Sequence, residues 1–313
     1  LEEERYEVFW SFHYALMDGQ SQKRILSEVE RFYECLIAQK PVDALPVTPF
    51  RHQVDRWHRR ETGRSEAFWR EELSSVTPMG PLSVESRPSP TEEEAETSRV
   101  TYDQASLTLD EQETADLRAM GERHGLELST LVQGAWAFLL SRYQGTEEVI
   151  MGVTTPGRSD DLPGMAEMVG LLINTLPLRV SAPATMNCTE WLRDLQQRYT
   201  RLHEHEYSSL LQVQQWAGID SGESLFETVV TVEEQEGPAP RALRMVRSWE
   251  ESHAGYPLNL VATLGERLTL TVHHDSTRFT TWTIERLVAH LQRILREFVG
   301  RPQACLGELN LLP

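Results

Sequence analysis

The chain has 313 residues, 40% of them apolar and 25% charged, which is typical of a globular protein large enough for two domains. Its formal net charge of −18 disfavours nucleic acid and anionic membranes as partners, because both would be repelled. Its apolar runs are too short to span a bilayer. The three cysteines, Cys35, Cys188 and Cys305, lie far apart and lack metal-ligand spacing, as is typical of free thiols in a reducing compartment. We therefore expect a cytoplasmic protein that binds no metal.

The first part of the chain reads as a strand followed by helices. A β-branched and aromatic stretch at 6–12 predicts a buried strand, and apolar residues at helical spacing from Ser21 onward predict a helix. Two short helical stretches follow, one around Trp57 and one around Phe68-Trp69. Residues 75–98 hold four prolines and an acidic run, a composition that indicates a linker.

Beyond the linker, strands and helices alternate. Ser129 is the predicted N-cap of a helix, and another long helix is expected after Thr189. The remaining predicted elements are strands at 99–109, 149–154, 173–180, 225–232, 258–263 and 268–273, and helices at 110–123 and 284–298. Mixed order of this kind predicts an α/β or α+β fold with helices flanking a sheet. The predicted domain organisation is therefore 1–74, a linker at 75–98, and 99–313.

One short stretch carries most of the chemical information: His13-Tyr14-Ala15-Leu16-Met17-Asp18-Gly19. A histidine at the end of a strand, followed by a tight Asp-Gly turn, can aim a polar side chain into a cleft. Taken alone, such a histidine is more often structural than catalytic.

This stretch resembles the His-His-x-x-x-Asp-Gly motif of nonribosomal peptide synthetase condensation domains and of the wider chloramphenicol-acetyltransferase-like superfamily. Other stretches that resemble family motifs follow in the family's order, at 48–73, 149–179, 202–207, 268–279 and 306–309. The resemblance covers nearly the whole chain. It implies two chloramphenicol-acetyltransferase-like lobes, of which this chain holds the complete C-lobe and the end of the N-lobe. We expect the rest of the N-lobe to be lost by natural truncation or to lie elsewhere in the polypeptide.

The resemblance also implies an activity and its partners. A condensation domain joins substrates that donor and acceptor peptidyl carrier proteins present as thioesters on phosphopantetheine, and an adenylation domain lies next to it. No cofactor is expected to bind the domain directly. Amide formation then requires positioning of both substrates, stabilisation of an oxyanion and handling of the amine's proton.

The motif assigns the site to His13, Tyr14, Asp18 and Gly19, with one departure. Tyr14 stands where the family has its second histidine, the one usually assigned the catalytic role. A tyrosine, with a pKa near ~10, is a proton donor and a poor base, whereas general acid–base help is worth roughly 10²- to 10⁴-fold in rate. We therefore expect weakened amide formation. The alternative is a catalytically inactive domain that docks carrier, adenylation or tailoring partners; ester formation or another acyl transfer is a third reading.

Three further residues are expected to support the site. Arg179 is the predicted partner of Asp18. Gly19 should allow a substrate to approach its backbone. Asn174 and Thr175 are expected to line the lobe interface, with a purely structural role as the alternative.

Two histidine pairs are not expected to bind metal. His203 and His205 lie two residues apart on a predicted helix and so face different directions, while His273 and His274 read as the turn at a strand end. Finally, the apolar residues of the predicted strand at 6–12 should be covered by a second chain, by a preceding segment or by the C-lobe, because a bare strand promotes aggregation.

Overall fold

The computed structural model describes residues 9–43, 47–59, 62–76, 82, 101–158, 163–220, 223–235 and 255–311. The chain divides into two compact units. Unit one draws on Leu1–Arg60, Pro156–Ile173 and Pro238–Ser252, and unit two on Glu61–Thr155, Asn174–Gly237 and His253–Pro313. The predicted linker at 75–98 lies almost wholly outside the described residues, so the division at 1–74, 75–98 and 99–313 stays a prediction.

Unit one is built around two helices, α1 (Gly19–Ile37) and α2 (Phe50–Arg59), with a 3-10 turn at Tyr14–Leu16 before them. Helix α1 begins at Gly19, two residues before the predicted start at Ser21, because the Asp18 carboxylate accepts a hydrogen bond from the Ser21 backbone N–H and caps the first turn. A small apolar cluster holds the unit together. It contains the buried residues Met165, Met168 and Leu172, with Phe50 and Trp57 packed against them.

The strand predicted at 6–12 is wrong over its described part. Residues 9–12 are in no strand, and residues 6–8 lie outside the described residues. Phe9 is 93% exposed and Trp10 is 40% exposed, and the centre of the Trp10 ring lies 4.9 Å from that of Phe12. A strand forms when neighbouring strands satisfy its backbone, and the described part of unit one provides none. The cover predicted for these residues is therefore not supplied by the described part of the chain, and a second chain or preceding segment stays a prediction.

Unit two contains helix α3 (Gly63–Glu72) and a six-stranded mixed sheet. The strands are β1 (Tyr102–Thr108), β2 (Glu148–Thr155), β3 (Asn174–Ser181), β4 (Thr228–Glu234), β5 (Leu258–Leu264) and β6 (Thr269–Asp275). They lie in the order β1-β6-β5-β4-β2-β3, and the pairs β2–β4 and β4–β5 are parallel. The sheet confirms the predicted α/β class. His273 and His274 are paired residues inside β6, which ends at Asp275 before a turn at 276–278, so the reading of the two histidines as the turn itself is wrong.

Five helices cover the sheet: α4 (Glu111–His124), α5 (Leu128–Gln144), α6 (Cys188–His203), α7 (Leu210–Ala217) and α8 (Thr281–Gly300). Every residue from 130 to 141 of α5 is buried, because its nearly all-apolar sequence lies between β2, β4 and α8. The predicted cap at Ser129 is wrong. The N-cap of α5 is Glu127, two residues earlier, and Ser129 lies inside the helix and donates to the Glu127 carboxylate. Helix α7 was not predicted.

None of the described helices is long and apolar enough to cross a membrane.

Candidate active site

The Asp18 carboxylate is the centre of a buried polar network in unit one. Both terminal nitrogens of Arg158 donate to it at 2.7 Å, a bidentate pair whose side chains are 0% (Asp18) and 7% (Arg158) exposed. The backbone N–H groups of Ser21 and Leu172 donate to the same carboxylate at 2.9 and 3.0 Å. Four donors therefore satisfy a carboxylate that lies out of contact with water.

The Ser21 hydroxyl extends this network to a second stretch of backbone. It donates to the Gly170 carbonyl at 2.9 Å, and it accepts from the Gly170 N–H and from Arg158, both at 3.0 Å. Gly170 must be glycine here, since an added Cβ would lie 2.3 Å from the Phe50 ring. The network thus ties the Asp-Gly turn to residues 158–172, which are about 140 positions away in the sequence.

The electrostatics of Asp18 follow from these contacts. Burial alone would raise the pKa of the carboxyl, but the hydrogen bonds from Arg158 and Ser21 outweigh it and hold the pKa below its usual value. Asp18 is therefore ionised near neutral pH and serves as the fixed counter-charge of Arg158. A carboxylate engaged in this way anchors the turn and has no free lone pair to accept a substrate proton.

His13 lies on the surface and closes the 3-10 turn. Its Nδ1 accepts from the Ala15 backbone N–H at 3.1 Å, and its carbonyl accepts from the Leu16 N–H at 2.9 Å. With Nδ1 acting as an acceptor, the neutral imidazole carries its proton on Nε2. The first motif histidine is thus held by its own backbone. The Tyr14 side chain, the predicted proton donor, lies outside the described residues, so its role stays a prediction.

Gly19 is the first residue of α1. An added Cβ there would meet no described atom within 4 Å, so packing inside the described part of the chain does not require glycine. Approach of a substrate to its backbone, the predicted reason, stays a prediction.

The predicted pair between Asp18 and Arg179 is wrong. Arg158 occupies that place, and it reaches Asp18 because Gly157 allows a close backbone approach: its φ is +61°, and an added Cβ would lie 1.8 Å from the Leu172 carbonyl oxygen. The sequence did hold a signal for Arg158, since a Pro-Gly-Arg turn directly follows a predicted strand.

Arg179 belongs to unit two and is fully engaged there. It makes a bidentate pair with Glu148 at 2.9 Å and donates to the Glu72 and Ser74 carbonyls. It lines a charged cavity of about 370 Å³. The lining residues are Glu71, Glu72, Glu148, Arg179, Ser181, Arg198 and Arg201. Arg179 therefore joins β3 to β2 and to the end of α3.

Asn174 opens strand β3 and holds the turn after α6. Its Nδ2 donates to the Glu206 and Ser208 carbonyls, both at 2.7 Å, and its Oδ1 accepts from the Thr175 N–H at 2.9 Å. Thr175 is half-buried and pairs with Thr154 of β2. These contacts give both residues a structural task in unit two, and the predicted role in lining the lobe interface stays a prediction.

Across the described ranges, no group of three or more His, Cys, Asp or Glu residues could hold a metal ion.

Comparisons with known proteins agree on one family. The family model described as the condensation domain matches residues 1–313. Subunits D and C of the linear gramicidin synthase of Brevibacillus parabrevis are 33% and 34% identical to the chain over 317 residues, and each match covers all of this chain. The chain spans only 6% and 4% of the length of these two relatives.

Solved structures share the fold at low identity. A four-domain nonribosomal peptide synthetase bound to AMP and glycine has a TM-score of 0.80 at 15% identity, covering 95% of this chain and 24% of its own. The X-domain in its complex with OxyB from teicoplanin biosynthesis has a TM-score of 0.78 at 20% identity, covering 96% of this chain and 69% of its own. Together with the family match over every residue, these findings show that the chain belongs to the condensation-domain family.

Proposed function

We propose that this domain forms amide bonds between two carrier-tethered substrates in a nonribosomal peptide synthetase, at a reduced rate. The observation that carries the proposal is the Asp18–Arg158 pair, because four hydrogen bonds hold the motif turn in one conformation although its second histidine is replaced. A turn kept in place this firmly is consistent with a retained site.

The reaction joins an amine on the acceptor carrier to a thioester on the donor carrier. The amine nitrogen attacks the thioester carbonyl, the C–N bond forms, the C–S bond breaks, and the proton lost by nitrogen goes to the departing thiolate. Holding the two groups together converts a bimolecular step into a nearly unimolecular one, which is worth up to roughly 7–11 kcal/mol. This positional contribution does not depend on a base.

Tyr14 changes the proton handling and the charge stabilisation. A phenol hydroxyl can donate a hydrogen bond to the carbonyl oxygen as negative charge develops on it. It cannot accept the amine's proton at neutral pH, so the general-base share, roughly 10²- to 10⁴-fold, is lost. The His13 Nδ1, which already accepts from Ala15, does not replace it.

The partners proposed for this reaction are donor and acceptor peptidyl carrier proteins with phosphopantetheine arms, and a neighbouring adenylation domain. Similarity to subunits of a linear gramicidin synthase and to a four-domain nonribosomal peptide synthetase supports this proposal. No separate cofactor and no nucleic acid is proposed, and a cytoplasmic location fits a multidomain synthetase.

A second candidate function is a docking platform without catalysis. Two observations favour it: the Tyr14 replacement, and the fold shared with an X-domain that was solved in complex with OxyB. A platform needs the anchored fold and does not need the second histidine.

Reconstitution separates the two candidates. The natural polypeptide that contains this domain is supplied with matched donor and acceptor carriers, both loaded, and the acceptor is analysed by intact-protein mass spectrometry. Transfer of the donor acyl group to the acceptor amine supports condensation. Carrier binding without any transferred product would instead establish the platform.

A further inference from the structure

We propose that the stripe on helix α8 formed by the exposed residues Trp282 and Arg286 and the half-buried residues His290 and Arg293 is a docking surface for an acidic peptide segment of a neighbouring domain. The four residues recur at helical spacing and therefore lie along one face. With a rise of about 1.5 Å per residue, they span about 16 Å, and the two arginines lie about 10 Å apart. The inference does not rest on amide formation.

The first supporting observation is the arrangement of Trp282. Single exposed apolar residues are common on protein surfaces, so the exposure of Trp282 alone does not indicate a docking surface. It is 64% exposed, however, and the Arg286 guanidinium lies over its ring at 4.6 Å from the ring centre. This contact holds two long side chains in place on the surface before any partner arrives. Tryptophan, tyrosine and arginine are the residues most enriched at the energetic centres of protein interfaces.

The second observation extends the surface to helix α5. The Tyr143 hydroxyl lies 2.9 Å from Nδ1 of His290, with the two rings 6.0 Å apart. Arg293 is fixed from the other side, since its Nε donates to the Asn310 carbonyl at 3.1 Å. All four stripe residues thus have side-chain contacts that orient them.

The third observation is the local charge. Burial lowers the pKa of His290, and the positive charges of Arg286 and Arg293 lower it further, so both arginines act on the same patch of surface. Two neighbouring carboxylates are paired with other arginines, Glu113 with Arg296 and Glu297 with Arg301. Asp103 accepts a hydrogen bond from the hydroxyl of Thr281, and Glu285 precedes Arg286 in the helix. The stripe itself contributes two positive charges, from Arg286 and Arg293.

This positive stripe belongs to a chain whose formal net charge is −18. Long-range electrostatics therefore disfavour an acidic ligand everywhere except at such a patch, and they make a nucleic acid a poor occupant. A second copy of the chain would carry the same excess of negative charge. Among acidic ligands, a short segment meets the least repulsion, and two of its carboxylates can match the two arginines.

The test uses a fluorescein-labelled helical peptide with two glutamates about 10 Å apart on one face, and a matched peptide in which both are glutamine. Fluorescence anisotropy measures binding to the full chain. We expect the glutamate peptide to bind and the glutamine peptide to bind at least about tenfold more weakly, which corresponds to about 1.4 kcal/mol. Arg286→Glu and Trp282→Ala should each weaken binding about tenfold, while the control Arg123→Glu, at an exposed arginine of α4, should change it less than about twofold.

Circular dichroism melting first confirms that each variant is folded, and Arg293→Glu gives a second charge reversal if one variant fails. The proposal is overturned if the glutamate peptide does not bind, if Arg286→Glu and Arg293→Glu bind as the wild type does, or if Arg123→Glu loses as much affinity. Light scattering that shows a dimer dissociated by Arg286→Glu, without peptide binding, would assign the stripe to a second copy and would also overturn it.

Discussion

Removing either member of the Asp18–Arg158 pair should destabilise unit one strongly. In Asp18→Ala, the Arg158 guanidinium stays buried and loses the carboxylate that accepts from two of its nitrogens. In Arg158→Ala, the carboxylate keeps only the Ser21 and Leu172 backbone donors. Breaking a buried ion pair at one partner costs about 3–5 kcal/mol. The double variant leaves no unpaired charge, so it should cost clearly less than the sum of the two single variants.

The assay must report on unit one by itself, because a chain with two compact units need not unfold in one step. Hydrogen exchange of the α1 amides, measured by mass spectrometry, gives the local opening free energy. The matched control is the exposed pair in the same unit, Arg51 and Asp55 at 3.7 Å, where Arg51→Ala should change that free energy by less than about 0.5 kcal/mol. If Asp18→Ala changed it as little as Arg51→Ala, or if the two single variants were additive, the buried network would not stabilise the turn.

The Asp18–Arg158 pair also makes the stability of unit one depend on pH in the acid range. The folded-state pKa of Asp18 lies below its unfolded value, so the contribution of the pair is complete above about pH 4. It is lost as the pH falls from there through the folded-state pKa. In Asp18→Asn, this part of the acid dependence should disappear.

Three further variants test other contacts, Ser21→Ala by hydrogen exchange of the α1 amides and the other two by chemical denaturation. Ser21→Ala removes the hydroxyl between Arg158 and Gly170 and should lower the local opening free energy of α1 by about 1–3 kcal/mol; an unchanged value would count against that bridge. Gly152→Ala should lower the free energy of unfolding by about 1–3 kcal/mol, because the added Cβ would lie 2.4 Å from the Phe226 ring. The control Gly63→Ala should be neutral or stabilising, because its Cβ would meet no described atom within 4 Å. Equal effects of the two variants would show that packing around Gly152 does not require glycine. Burial lowers the pKa of His274, so the unfolded chain binds more protons and stability should fall as the pH drops from about 6.5 towards the folded-state pKa. His274→Leu should flatten that fall, and superimposable pH curves for the two proteins would show that His274 contributes nothing.

Sequence patterns predicted the elements of unit two well, because each depends on local periodicity. Helix α4 and the strands β2 and β3 lie within one residue of the predicted bounds. Helix α7 was missed although its capping box, Ser209 with Gln212, is visible in the sequence, because the helix is only eight residues long. Short elements give too few turns for a period to stand out.

The candidate site was predicted less completely, since its contacts join residues far apart in the chain. The Asp-Gly turn and its helix follow from local spacing, but the choice of Arg158 over Arg179 depends on the close backbone approach at Gly157. The strand predicted at 6–12 failed over residues 9–12 for a related reason. Its composition favours a strand, but strand formation also needs a neighbour, and composition does not supply one.

The most direct test of the account is the rate of amide formation by wild type and Tyr14→His in the natural polypeptide, with both carriers loaded and a single turnover followed by mass spectrometry. We expect slow transfer by the wild type and an increase of about 10²- to 10⁴-fold in Tyr14→His, as the restored imidazole takes the amine's proton. Equal rates in the two proteins, or no amide product from either, would contradict it.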